Sequence, residues 1–411
     1  MKKKIGIFTT FYDFSPSYSL CSVVRDQLVA HIHRGYKPVL FVLESFKDDE
    51  AVPEGVEVRK VVPQLILERY KGFLVPDDVQ DDVKRVVEAL KEHAQDIDIM
   101  IAHDMVFIDT YLPYNLALRE APIKARYLHW VHSAPSPKPN LENNLHANRY
   151  NMPPRSKLVY LNHDKVIALA EMFSTYPRDV KVVSNSRDPR TFWGLDPFVN
   201  NLIDEYDILS ADIISVYPVS STRMVDGKQI DVAIKIHSAL RQLGLKTKLI
   251  IPNAHANGEK EKKEIAERAS LGVIFTSTEG EEFEQGVSSK IVSDLFRLSN
   301  VFIFPSISEN CSLVLLEAML SGNLLVLNKD CSGLQEFGGD NALYFKMGNL
   351  DMGIRNEENA LKRDSYLMDI AKIIKSEFEL NKPLQAKRRT LQKFNYDKIM
   401  DDIEGVYYEY E

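Results

Sequence analysis

The sequence predicts an α/β protein made of two successive halves, each built on a mainly parallel sheet. Three observations carry that prediction. Short β-branched runs alternate with longer amphipathic segments along the chain, which is the pattern of βαβ units. The alternation restarts near residue 211, after a stretch at 184–198 rich in Pro, Asn and Asp, and that stretch reads as a linker. The chain has 411 residues, room for two or three domains at roughly 100–200 residues each.

The elements follow in order. KIGIFTT (4–10) is a buried strand, and SLCSVVRDQLVAHIHRGY (19–36) a helix with apolar residues at helical spacing, stopped by Gly35. PVLFVLE (38–44) is a strand, VKRVVEALKEHA (83–94) a helix and DIMIAHD (98–104) a strand. ARYLHWVHS (125–133) is a strand running into a loop, followed by a strand at 157–162, a helix at 164–173 and a strand at 180–186. In the second half ADIISVYPVS (211–220), KTKLIIPN (246–253), LGVIFTS (271–277), VFIFPS (301–306) and LLVLNK (324–329) are strands. The segments 231–244, 260–270 and 312–322 are helices, the first and last closed by glycine. RTLQKFNYDKIMDDIEGVYYEY (389–410) is a long amphipathic terminal segment. The expected domains are 1–190, 191–388 and a terminal helix, 389–411, packing back on the first domain.

Composition excludes several classes. Hydrophobic residues make up 45% and charged residues 27%, which is ordinary for a globular protein and unlike a disordered or fibrous chain. Residues 1–200 balance 26 basic against 26 acidic side chains, so the net charge of −8 falls in residues 201–411. No strongly basic footprint marks a nucleic-acid binder. The three cysteines, Cys21, Cys311 and Cys331, form neither a disulfide framework nor a metal-ligand spacing, and fit a reducing, cytoplasmic compartment. Met1-Lys2-Lys3-Lys4 is basic, but no long apolar run follows it as in a leader. No apolar run approaches the 18 residues of a membrane span.

The chemistry concentrates in FPSISENCSLVLLEAMLSGNLLVL (304–327), a strand, a short polar loop and a helix. A helix start at the carboxyl end of a parallel strand is where open α/β sheets bind ligands, and its free N–H groups suit a phosphate. Seven residues separate Glu309 from Glu317, about two helical turns. Glu317 lies in an apolar run where burial without a partner is costly. Arg223 and Lys228 lie five apart in a loop after the first strand of the second half. Two fixed cations there can neutralise a departing diphosphate.

This pattern resembles the signature of nucleotide-sugar glycosyltransferases of the GT-B fold, in particular the retaining family 4. The matching residues are Pro305, Ser306, Glu309, Glu317, Ala318, Ser321 and Gly322. The resemblance implies two Rossmann-like domains with parallel sheets facing across a cleft and a C-terminal helix crossing back. It implies that Glu309 lies against the transferred sugar and Glu317 binds the ribose, and that the backbone at Cys311, Ser312 and Leu313 cradles the pyrophosphate. The base is then contacted near Phe275 and Thr276. Arg223 and Lys228 take the diphosphate, and His132 contacts the donor sugar, with His129 as the competing candidate. Asn185, Asp188 and Phe192 match an interdomain segment, in which Ser186 and Arg187 replace Gly and Val. Residues 332–345 resemble a Gly-x-x-Glu segment. One departure is FSPSYSLCS (14–22), which lacks the Gly-Gly loop usual after the first strand; Ser17, Tyr18 or Ser19 would have to substitute.

The implied reaction transfers a hexosyl or pentosyl group from a UDP-sugar to an acceptor hydroxyl with retention, needing neither metal nor cofactor. Asp96-Ile97-Asp98 resembles a metal-binding Asp-x-Asp but precedes a first-half strand, away from the nucleotide elements. No Gly-x-Gly-x-x-Gly or Walker sequence points to other nucleotide chemistry. The expected acceptor is a glycan or small hydroxylated molecule. The alternative is hydroxymethylated DNA, because the wording of 301–345 resembles phage-encoded glycosyltransferases and residues 119–165 carry a net +5. A catalytically silent GT-B module that only binds sugar nucleotides is the further alternative.

Overall fold

A computed structural model of the chain describes residues 3–106, 108–132, 151–219, 227–252, 272–284, 286–348 and 357–409. The chain divides into two compact units, Met1–Arg187 with Phe394–Glu411, and Asp188–Lys393. Both are α/β, and every strand pairing among the described residues is parallel. The predicted fold class is the observed one.

The described residues of the first unit form seven strands: β1 (Ile5–Phe8), β2 (Val39–Leu43), β3 (Glu57–Val62), β4 (Ile99–His103), β5 (Arg126–Val131), β6 (Ser156–Tyr160) and β7 (Val180–Val182). Their order is β3-β2-β1-β4-β5-β6-β7. The central strands β1, β2 and β4 are buried end to end, which explains their unbroken apolar runs: a parallel sheet is covered on both faces. The order reverses between β1 and β4, and open α/β sheets bind ligands beyond the strand ends at such a reversal.

The sequence reading missed β3 because EVRKVV carries charges on a mostly solvated edge. Those charges are spoken for. Asp96 pairs with Arg59 at 2.8 Å and with Lys4 at 2.6 Å, and Asp98 accepts the Lys4 N–H at 2.8 Å. These partners hold Asp96-Ile97-Asp98 as the helix-to-strand connection that leads into the central strand β4.

The terminal segment is not one helix. Helices Lys382–Lys393 and Tyr396–Tyr408 flank a break. Asn395 causes it, since its Oδ1 accepts the Lys398 N–H at 2.9 Å and caps the second helix. That last helix belongs to the first unit and packs on the helix Ser19–His33, where buried His31 meets the Tyr407 hydroxyl at 2.7 Å.

The second unit carries two three-stranded ladders. One is β8 (Ile213–Val216), β9 (Thr247–Ile251) and β10 (Val273–Phe275), ordered β10-β9-β8; the other is β11 (Val301–Phe304), β12 (Leu324–Asn328) and β13 (Ala342–Phe345) in chain order. Buried Asn300 stitches them together. Its N–H donates to the Ile214 carbonyl at 2.9 Å, and its Oδ1 accepts the Ile214 N–H at 3.0 Å. This sets β8 beside β11 and places their carboxyl ends together. The expected helix at 260–270 lies outside the described residues. No described helix is long and apolar enough to cross a membrane.

Candidate functional site

The candidate site of the second unit gathers at the carboxyl ends of β8, β11, β12 and β13. After β11 the chain leaves the sheet at Pro305-Ser306 and forms a loop to the helix Leu313–Leu320. The helix starts there because Ser312 caps it, its Oγ accepting the Leu315 N–H at 3.4 Å. Cys311 and Leu313 are exposed at this start, and the first turn of the helix carries no acidic side chain. Anions bind well at such an end.

Glu309 sits in the loop with partners on both sides. Lys228 Nζ donates to its Oε1, and Ser306 Oγ donates to the same oxygen at 2.7 Å. The Lys228 and Glu309 side chains are only 19% and 12% exposed. The structure thus brings Lys228 and Glu309, 81 residues apart in the chain, into direct contact. Arg223 lies outside the described residues. The Lys228 ammonium also stands 5.6 Å from the centre of the Phe304 ring.

Gly227 opens the way into this arrangement. Its φ of +102° is a conformation that glycine adopts without strain, and its carbonyl accepts the Ile307 N–H at 2.9 Å. Gln229 is a residue the sequence reading did not single out. Its Nε2 donates to the carbonyls of Pro305 at 2.6 Å and Met347 at 2.7 Å, tying the loops after β8, β11 and β13 together. Asn328, fully buried at the end of β12, bonds the Ser306 carbonyl at 3.1 Å and the Met347 N–H at 2.9 Å. Neither residue carries a local sequence signal, because each acts through elements far apart in the chain.

Gly333, from the Gly-x-x-Glu segment, approaches the loop from below. A Cβ on it would lie 2.1 Å from the Glu309 carbonyl oxygen. Glu336 of the same segment is exposed. Glu317 is half-buried one turn into the Leu313–Leu320 helix, and burial pushes its carboxyl up from the usual range. Phe275 and Thr276, at the end of β10, have side chains buried in the core. Only their backbone can meet a ligand, and the Phe275 carbonyl already accepts from Thr278 Oγ1 at 2.8 Å.

The first unit presents His132 directly after β5. Its ring nitrogen Nε2 lies 2.8 Å from Nδ1 of His103, the last residue of β4. Its backbone N–H donates to Asp104 Oδ1 at 2.8 Å. Desolvation lowers the His132 pKa to about 4, so the ring is neutral at pH 7. His129, the competing candidate, is fully buried inside the sheet, stacked on Tyr127 and bonded to Ser156 Oγ at 3.2 Å. Ser17 and Ser19 of the glycine-free loop line a cavity of about 550 Å³ with Asn185, Ser186 and Arg187. Of the basic stretch 119–165, residues 133–150 lie outside the described residues.

Residues 216–374 match the family model of glycosyl transferases group 1. That segment runs from the end of β8 through the helix after β13 and contains Lys228, Glu309, Glu317 and Gly333. No curated protein sequence matches the chain. Among solved structures it is similar to a glycosyltransferase from Rickettsia africae, with 15% identity, 100% of this chain and 98% of that one covered, and a TM-score of 0.38. It is similar to HepE of Anabaena in complex with UDP, with 16% identity, 99% and 100% covered, and a TM-score of 0.35. A sucrose-phosphate synthase from Thermosynechococcus elongatus gives 12% identity, 99% and 99% covered, and a TM-score of 0.36. The match over 216–374, within the second unit, carries the enzyme class: the protein is a glycosyltransferase.

Proposed function

We propose that the protein transfers a sugar from a nucleoside diphosphate sugar, a UDP-sugar by its family 4 resemblance, to an acceptor hydroxyl with retention of configuration. The donor lies in the second unit, residues 191–388 in the sequence reading, and the acceptor in the first. The single observation that carries the reading is the Lys228–Glu309–Ser306 cluster at the strand ends, within the segment that matches the glycosyltransferase family.

The chemistry follows from charge. Breaking the bond between sugar and diphosphate puts negative charge on the leaving oxygen. Lys228, held in place by Glu309, supplies a fixed cation where that charge develops, and the family resemblance assigns Arg223 as its companion. Preorganised cations of this kind stabilise the transition state without reorganisation cost, so the proposed reaction needs no metal. The N–H groups at Cys311, Ser312 and Leu313 add the helix-start field. Glu317 holds the ribose hydroxyls, and the backbone at Phe275 and Thr276 borders the base. Glu309 orients the sugar, while neutral His132 offers it a hydrogen bond. No described side chain here is placed as a covalent nucleophile, which accords with catalysis by leaving-group stabilisation in a dry site.

A thermal-shift screen of nucleoside diphosphate sugars on the full chain tests the donor. Ligand at 100 times its Kd stabilises the folded state by about 2.7 kcal/mol, a shift of several degrees. Mass spectrometry of hexoses, small glycans and hydroxymethylated duplex DNA then identifies the acceptor. If no such donor shifts the transition and none is consumed, the proposal fails.

A further inference from the structure

His103 and His132 end neighbouring strands of the first unit, beside the reversal of strand order. Their rings meet at 2.8 Å through His103 Nδ1 and His132 Nε2. Two neutral imidazoles share such a bond in one of two ways, because each carries a single proton. If His132 donates, His103 must carry its own proton on Nε2. If His103 donates, His103 Nε2 is a bare lone pair and His132 carries its proton on Nδ1.

The surroundings choose between them. His103 is 1% exposed, and its Nε2 has no hydrogen-bond partner among the described residues. A buried N–H without an acceptor is rarer than an under-used acceptor. Trp130, opposite His103 in the β4–β5 ladder with its ring 5.9 Å away, already contributes one buried donor, Nε1, that has no partner among the described residues. A second orphan N–H in the same packed layer is the costlier arrangement. Burial holds both rings neutral, lowering His103 well below its ordinary value. The arrangement is also rigid. Asp104, at φ +55°, donates its N–H to the Trp130 carbonyl at 2.8 Å, and its Oδ1 accepts the His132 N–H.

We infer that His103 is a positioning residue that donates from Nδ1 to His132 and so fixes His132 as an Nδ1–H hydrogen-bond donor. In that form His132 has no free basic nitrogen. It serves a sugar hydroxyl oxygen as a donor and cannot act as a general base. The role toward substrate rests on the proposed function; the tautomer does not.

The test is ¹⁵N NMR of the histidine rings in the full chain, with transfer kinetics alongside. Wild type is expected to show His132 protonated at Nδ1, the tautomer a free neutral side chain disfavours. His103→Leu removes the donor and should release His132 to the Nε2-protonated form, lowering kcat/KM about tenfold or more, the scale of one hydrogen bond lost at a buried site. His103→Asn places an amide donor near the same point and should restore both the tautomer and most of the activity. Thermal midpoints of both variants separate loss of folding from loss of positioning. His132 protonated at Nε2 in wild type overturns the inference, as does a wild-type tautomer in His103→Leu. Correct tautomers with no sugar transfer by wild type would instead overturn the proposed function and leave the histidine pair standing.

Discussion

Gly333→Ala is the sharpest probe of the donor site. Gly333 is helical and buried, so by helix propensity alone alanine is favoured there by about 1 kcal/mol. Packing opposes it. The new Cβ would sit 2.1 Å from the Glu309 carbonyl oxygen, 3.0 Å from its carbonyl carbon and 3.0 Å from the Asn310 oxygen. All three are backbone atoms that cannot swing aside. An ordinary contact begins at 3.4 Å, so the 309–310 loop must retreat by more than 1 Å. Overpacking of this kind costs about 1–3 kcal/mol, which outweighs the propensity gain. The same retreat pulls Glu309 from Lys228 and Ser306, and a misplacement of about 1 Å costs on the order of 10²-fold in rate. The expected variant is folded, melts a few degrees lower and loses about 10²-fold in kcat/KM for sugar transfer. Gly405→Ala is the control, since that helical glycine has nothing within 4 Å of its Cβ position; it should hold or raise the midpoint at full activity. Wild-type kinetics in Gly333→Ala would refute the link between this close approach and the site.

Three further outcomes are expected. Lys228→Ala should lower kcat/KM by 10²-fold or more and the melting midpoint by several degrees, because mostly buried Glu309 is left without its counter-charge; kinetics and calorimetry on the same sample check both. Glu317→Gln should raise KM for the donor more than it lowers kcat, with little change in stability, since burial already disfavours the charged carboxylate; a kcat-only defect would count against ribose binding. Acid should destabilise the protein in a defined window. Burial lowers His31 to about 4, His129 to about 3 and His237 to about 3, against an ordinary 6.5. The unfolded chain therefore binds more protons, and stability present above about pH 6.5 declines as pH falls through 6.5 toward 4. The His31 shift alone is worth on the order of 3 kcal/mol. Denaturant midpoints at pH 7.5 and 5 measure it, and equal midpoints would contradict it.

Elements whose signal is local are legible in the amino-acid order. The runs at β1, β2, β4 and β11 are legible because a strand covered on both faces is apolar throughout. The helix at Leu313–Leu320 is legible from its serine cap and apolar spacing, and with it the placement of Glu309 before the helix and Glu317 within it. Strand β3 was not legible, because its charges belong to a sheet edge whose partners, Lys4 and Asp96, lie 53 and 37 residues away. Nor was the break at Asn395, where a side-chain cap interrupts a pattern that periodicity alone runs together.

Which residues meet is a property of the folded chain. Folding joined Lys228 to Glu309, set Gly333 under the loop that carries Glu309, and made Gln229 and Asn328 the ties between loops. It also buried His129 while pairing His132 with His103. The physical reason is common to all of these. A parallel sheet returns every strand end to the same edge, so side chains scattered through the sequence converge there, and no local pattern records which of them come within 3 Å.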